Sequence, residues 1–296
     1  MEEGKGALTA RAKDTVPAVF VWVDGALCAE DEARISPFDH GLLTGDGVFE
    51  TLRVYGGRPF AWTRHLERLS RSAAGLGLAL PPGEVLRSAA EAVLEANQLG
   101  EARMRITVTG GPAPLGSDRG EAIPTVIVAG TDLAPWSESV AVATVPWPRN
   151  ERGALTGLKT ISYGENVRAL AHAAELGAGE AIFANTRGQL CEGTGTNVFV
   201  VAGGRLRTPP ASAGCLLGVT RALVLELAGD LGLDAGEEDL PLVAVAAADE
   251  SFLTSSTREV QAISAVDGAA LPAAPGPVTA QLAAAFKALV ADSIDP

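Results

Sequence analysis

Lysine is scarce in this chain: of 296 residues only Lys5, Lys13, Lys159 and Lys287 are lysines. Two stand in the N-terminal stretch, and Lys287 sits on an alanine-rich segment beside Ala284, Ala285 and Phe286, so chemistry that needs an interior amine falls to Lys159. Cysteine is as sparse. Cys28, Cys191 and Cys215 are too few and too scattered for a disulfide framework or a zinc site, and they read as buried thiols of a reducing cytoplasm. His40, His65 and His172 are widely spaced without ligand pairs, which gives a metal centre little support. No apolar run reaches transmembrane length, and MEEGKGALTARAKDT has no apolar centre of the secretion-signal kind. A soluble, cytoplasmic protein is expected. Positive charge is in deficit as well: a formal charge of −13 has the wrong sign for nucleic acid or an anionic membrane as partner, and leaves small molecules.

What is present suits two domains. The length exceeds one typical domain, and 47% hydrophobic residues can fill a core. AVFVWVDGAL predicts a hairpin turning at Asp24-Gly25, and the strands around GGRPF turn at Gly56-Gly57. TRHLERLSRSAAGLGL predicts a helix capped by Thr63, with Leu66, Leu69, Ala73 and Leu76 on one stripe. A second helix spans Gly83 to Gln98, stopped at Gly100. ARMRITVT alternates Met104 and Ile106 against Arg103 and Arg105, as a strand does. A helix from Glu165 to Leu176 is expected to turn Val167, Leu170, Ala171 and Ala174 inward, and the last helix runs from Val278 to Asp292, leaving SIDP loose. Strands cluster ahead of helices, which predicts an α+β protein with a ligand between its domains. The expected boundaries are a disordered tail over 1–17, a small α+β domain over 18–130, a linker over 131–138 and a larger α+β domain over 139–296.

Several stretches carry chemistry. Beside Leu155, Leu158 and Ile161, Lys159 would be desolvated, which lowers the pKa of an ammonium and frees an amine for a Schiff base. An exposed lysine beside a glycine turn is the plain alternative. Arg68 follows His65 by one helical turn, and with Arg64 and Arg71 it fits a solvated helix face. Arg103 and Arg105 are either exposed or aimed at an anion, and Phe49 reads as strand core. A helix starting near Val219 offers its first amides and the Thr220 hydroxyl to an anion. TSST, holding Ser255 and Ser256, adds hydroxyls but alone reads as a polar loop. The GDG at 45–47 is no phosphate loop, because no helix follows it.

Taken together and in order, Lys159, Glu192 in CEGTGTNVF, GVTRALVLELA from Gly218 and FLTSSTREVQAI from Phe252 resemble the class IV aminotransferases. These are the fold-type IV pyridoxal 5'-phosphate (PLP) enzymes: branched-chain aminotransferases, D-amino-acid aminotransferases and 4-amino-4-deoxychorismate lyases. The resemblance spans about residues 20 to 270. It implies a two-domain, D-amino-acid-aminotransferase-like fold with PLP between the domains, a homodimer, and an amine or amino-acid substrate. It implies Lys159 as cofactor lysine and general base, Glu192 at the pyridine nitrogen and Tyr163 near the phenolic oxygen. Arg68, Val219, Thr220, Ser255 and Ser256 would surround the phosphate, with Leu216 against the ring and Phe49, Arg105 and Thr44 on the substrate side. Leu115 and Ser117 stand where D-amino-acid aminotransferases carry an arginine and a histidine, which argues against that activity. Arg105 and EGTGTN look like the branched-chain enzymes, whereas GDGVFETLRV and SYGENVRALAHA resemble the lyases. Conversion of 4-amino-4-deoxychorismate to 4-aminobenzoate and pyruvate is the expected reaction, with branched-chain or other amino-acid transamination as the alternative. Two further readings need no PLP chemistry: a phosphosugar or nucleotide-binding enzyme whose Lys159 contacts phosphate, and a noncatalytic binding protein, which would need neither Lys159 nor Glu192.

Overall fold

The computed structural model of the protein describes residues 19–296, so Lys5, Lys13 and the tail expected over 1–17 lie outside the described residues. Six strands open the chain: β1 (Phe20–Val23), β2 (Ala26–Ala29), β3 (Gly47–Tyr55), β4 (Arg58–Pro59), β5 (Ala102–Thr109) and β6 (Val126–Asp132). They pair antiparallel in the order β2-β1-β6-β5-β3-β4. The β1–β2 hairpin turns at Asp24 and Gly25, both at positive φ, the conformation that two-residue turns demand. Three helices accompany the sheet: α1 (His40–Thr44), α2 (Trp62–Leu76) and α3 (Gly83–Ala96). α2 and α3 cover one face, where Leu69, Ala73, Leu86 and Val93 pack on Leu52, Met104 and Ile106. The alternation along β5 therefore leaves Arg103 and Arg105 on the opposite face.

The second sheet is mixed. Its strands are β7 (Ser139–Thr144), β8 (Glu180–Ala184), β9 (Leu190–Gly193), β10 (Asn197–Ala202), β11 (Arg205–Thr208), β12 (Asp234–Glu237), β13 (Glu250–Ser255), β14 (Glu259–Val266) and β15 (Ala269–Ala270). The order is β12-β11-β10-β13-β14-β7-β8-β9, with β15 added to β14. Parallel pairs β14–β7 and β7–β8 stand beside antiparallel ones. Helices α4 (Gly164–Glu175), α5 (Val219–Asp230), α6 (Ala244–Ala247) and α7 (Pro277–Asp292) flank it. Phe199 and Phe252 stack with centroids 4.8 Å apart beneath α5 and α7, and Phe60 crosses from the first half to meet Phe286 at 5.8 Å. Each such buried ring stabilises the fold by about 1.5–3 kcal/mol.

Four local expectations are corrected. α4 turns Asn166, Ala169 and Ala173 inward, while Val167 is 67% and Leu170 43% exposed. The polar Asn166 sets the helix phase, because its amide donates to Thr194 O and its carbonyl oxygen accepts from Arg149. Thr63 is not the cap of α2: the helix begins at Trp62, which is buried, and Ala61 occupies the cap position without a side-chain bond. The last residues are not loose. Asp295 accepts from Thr63 N at 2.9 Å and Thr63 Oγ1 at 2.7 Å, Ile294 O accepts from Ala61 N, and Pro296 O accepts from Arg64 Nε. The chain's end thus caps a helix 232 residues earlier. The α3 stop falls earlier than expected too, since Gln98 rather than Gly100 takes the positive φ.

If the terminal residues cap α2, Asp295→Ala should lower stability by about 1 kcal/mol, as cap removal does. Thermal unfolding reads this as a lower Tm, and an unchanged Tm contradicts the capping role.

Candidate active site

Between β7 and α4 the chain crosses from one sheet to the other, and it does so in register with the start of β3. Phe49 N donates to Lys159 O at 3.1 Å, Ile161 N donates to Gly47 O at 2.9 Å, and Thr160 bridges to Val48. Lys159 N donates to Ser72 Oγ of α2 at 3.0 Å. Side chains alternate along such a segment, so a slip of one residue would turn Lys159 away from the cleft.

Lys159 Nζ instead lies over the Phe49 ring, 4.2 Å from its centroid and 6.0 Å from that of Tyr163, and the two rings meet edge to face at 5.2 Å. The expected aliphatic jacket is only partly present, because Leu155 is 40% exposed. Burial brings the Lys159 amine down to about 8, helped by the positive charges of Arg68 and Arg105 and opposed by Glu50 and Glu192. The Tyr163 hydroxyl is raised to about 12, first by burial and then by Glu192, so it stays protonated as a donor.

These groups line a cavity of about 1000 Å³ between the two sheets. Glu192 opposes Phe183 in the β8–β9 pair and enters the cavity from its floor. Its Oε2 accepts from Leu216 N at 2.9 Å, and its Oε1 lies 3.5 Å from Arg149 Nε. Burial pushes the Glu192 carboxyl up, with Arg149 as the main opposing influence. Arg149 sits on the Phe183 ring at 4.1 Å and holds Asn166 and Glu165.

At the other end Val219 and Thr220 open α5, a helix start with no side-chain cap. Gly218 is required there, since a Cβ would run into the Asn197 side-chain oxygen. Asn197 in turn donates to Leu216 O at 2.7 Å, fixing the approach to the helix. Arg68 reaches this end from α2: Glu50 clamps its Nε and Nη2 at 2.7 Å each, and Nη1 points to Leu217 O at 3.3 Å. Ser255 and Ser256 border the same region, and Thr254 Oγ1 is buried there without a partner among the described residues. Phe49, Thr44, Arg103 and Arg105 also line the cavity. Arg105 lies over the outer face of Phe49 at 3.6 Å and donates to Thr107 Oγ1. Thr44 donates its hydroxyl to His40 O.

The cavity therefore gathers every site residue expected from the sequence: Lys159, Glu192, Tyr163, Arg68, Leu216, Val219, Thr220, Ser255, Ser256, Phe49, Arg105 and Thr44 all line it. Leu115 and Ser117 are outside that lining, and Leu115 is 74% exposed. Sequence reasoning missed Arg149, Glu50 and Asn197. RNERG reads as a charged loop, and Arg149 meets Glu192 only because Arg149 bridges to Asn185 beyond β8. A glutamate in GVFET gives little sign of being buried, yet Glu50 is 1% exposed. The one signal in the sequence was an acidic residue at an inward position of the strand that precedes the helix carrying His65 and Arg68.

The depressed amine has a direct consequence. In protein freed of bound ligand, acylation of Lys159 by an amine reagent, followed by peptide mass, should rise with a midpoint near pH 8. A midpoint near the ordinary lysine value of about 10.4 contradicts the buried setting.

Comparison with known proteins identifies the family. The family model Amino-transferase class IV matches residues 47–266. The chain is 35% identical to a putative branched-chain-amino-acid aminotransferase of Methanocaldococcus jannaschii over 253 residues, covering 84% of this chain and 88% of the relative. It is 31% identical to a D-alanine aminotransferase of Bacillus licheniformis (90% and 95% covered) and 34% identical to an aminodeoxychorismate lyase of Bacillus subtilis (81% and 84%). Among solved structures, a branched-chain aminotransferase of Thermoproteus uzoniensis with norvaline superposes with a TM-score of 0.86 at 32% identity, covering 92% of this chain and 95% of that one. The chain belongs to the class IV aminotransferases and is a PLP-dependent aminotransferase or lyase of the α+β, two-domain fold-type IV architecture.

Proposed function

We propose that this enzyme is a 4-amino-4-deoxychorismate lyase, releasing 4-aminobenzoate and pyruvate. The observation that carries the reading is the pair of guanidinium groups on one strand face at the substrate side. Arg103 and Arg105 both border the cavity, and neither has a carboxylate partner within 4.0 Å among the described residues. A substrate with two carboxylates and an apolar ring meets that wall and the Phe49 ring beside it.

The residues fit PLP. The amides of Val219 and Thr220, which no side chain caps among the described residues, Arg68 Nη1, held only by a 3.3 Å bond to Leu217 O, and the hydroxyls of Ser255 and Ser256 offer donors to a phosphate. The Thr254 hydroxyl, without a partner among the described residues, suits an acceptor arriving in the same place. When bound, PLP supplies an aldehyde that condenses with amines and a ring that withdraws electrons. Glu192 is read as holding the proton on the ring nitrogen, with Arg149 and the Leu216 amide keeping its carboxylate in place. Tyr163, held protonated by burial and by Glu192, would donate to the phenolic oxygen. The Lys159 amine would take the proton from the substrate carbon bearing nitrogen, and its low pKa keeps a share of the amine neutral for this at ordinary pH. Cleavage of the adjacent carbon–oxygen bond would release enolpyruvate, which takes up a proton to become pyruvate, and would leave an aromatic ring.

Transamination of branched-chain amino acids is the second reading, favoured by the 35% identity to the Methanocaldococcus jannaschii relative. Its co-substrate 2-oxoglutarate would also place two carboxylates against Arg103 and Arg105. Either reaction suits a homodimer, in which a second copy would cover Phe38, Leu42, Leu115 and Ile123, exposed around the Asp39–Pro112 bridge.

Purified protein supplied with 4-amino-4-deoxychorismate should form 4-aminobenzoate and pyruvate in equal amounts, and Lys159→Ala should form neither. Faster glutamate production from leucine and 2-oxoglutarate, with no 4-aminobenzoate, contradicts the lyase and leaves the aminotransferase.

A further inference from the structure

Behind the anion end of the cavity lies a buried relay, whose role rests on the reading that a phosphate binds at the start of α5. Glu50, 1% exposed, accepts three hydrogen bonds of 2.7 Å: from Arg68 Nε, from Arg68 Nη2 and from His65 Nδ1. Burial would raise its carboxyl, but Arg68 and His65 outweigh that and hold it well below the usual carboxylate range. An ionised carboxylate only accepts, so the Nδ1 of His65 carries a hydrogen. The other ring nitrogen, Nε2, faces Ser256 Oγ at 3.3 Å. With one proton on the ring, Nε2 is a lone pair and the Ser256 hydroxyl donates to it. A phosphate, which accepts and does not donate when fully ionised, needs that same hydroxyl hydrogen.

The charges around the ring decide between the two demands. From β3 the ring faces Glu50, from its own helix Arg68, and from the crossing segment Lys159. The turn after β13 offers Ser256, while its Arg258 is engaged with Gln261 and Gly179 O and lies 3.7 Å from Glu180. Glu50 and Arg68 cancel, so Lys159 leaves a positive balance. Burial, with Arg68 and Lys159 acting against Glu50, lowers His65 below its ordinary value and keeps the ring neutral in the absence of an anion. A doubly charged anion at the start of α5 reverses that balance in a buried place where salt screens little.

We propose that a phosphate group bound at the start of α5 is taken up together with one solvent proton on His65 Nε2. The imidazolium then donates to Ser256 Oγ, and the Ser256 hydroxyl turns its hydrogen to the phosphate. No bond between heavy atoms is made or broken. Every polar atom of the relay keeps a partner, whereas a neutral ring would force Ser256 to abandon either the phosphate or the imidazole.

The chain has three histidines, so the ring is observable directly. In ¹⁵N-histidine-labelled holoenzyme at pH 8, with His65 assigned by loss of its signal in His65→Gln, both ring nitrogens of His65 should be protonated. The ³¹P resonance of the bound cofactor should shift in Ser256→Ala. A ³¹P shift in Ser256→Ala together with a singly protonated His65 overturns the relay and leaves the phosphate placement standing. A ³¹P resonance indifferent to Ser256→Ala overturns the phosphate placement, and the relay with it.

Discussion

The site depends on how one short segment is tied to one strand. Backbone hydrogen bonds from Phe49 to Lys159 and from Ile161 to Gly47, with the Ser72 hydroxyl as a third tie, splice the crossing chain onto β3. Those bonds place the lysine over the Phe49 ring, bring Tyr163 to the end of the same ring and set the start of α4. β3 also carries Glu50 on the adjoining position, which clamps Arg68 and His65 from behind. One strand thereby aligns the amine on one side and the anion end on the other. Alternation of side chains along β3 is what keeps the two roles apart.

Electrostatics inside the cleft run opposite to those of the whole chain. The formal charge is −13, yet Arg68, Arg103, Arg105, Arg149 and Lys159 all border one cavity. Crowded cations and burial together hold the Lys159 amine near 8, and Glu50 and Glu192 offset only part of that effect. The same crowding suits small anionic ligands in the cleft. An acidic exterior keeps polyanions away while the interior accepts small ones.

Much of this was readable from residues alone. The scarcity of lysine singled out Lys159, the helix start at Val219 followed from local pattern, and the alternation of β5 exposed Arg103 and Arg105 on the correct face. What stayed hidden was long-range or polar. The α4 phase failed because periodicity counts apolar residues, whereas two hydrogen bonds to Asn166 decided which side faces in. The cap of α2 failed because its acceptor comes from Asp295 at the far end of the chain. Arg149 and Glu50 look like ordinary surface charges in sequence, and only strand pairing and helix packing turn them toward Glu192 and Arg68.

The central claim is that one particular amine holds the cofactor. Reduction of the holoenzyme with borohydride, followed by proteolysis and mass spectrometry, tests it most directly. The account predicts a phosphopyridoxyl adduct on the peptide containing Lys159 and on no other. An adduct at Lys287, or an unmodified Lys159 in reduced protein that still carries the cofactor, contradicts it.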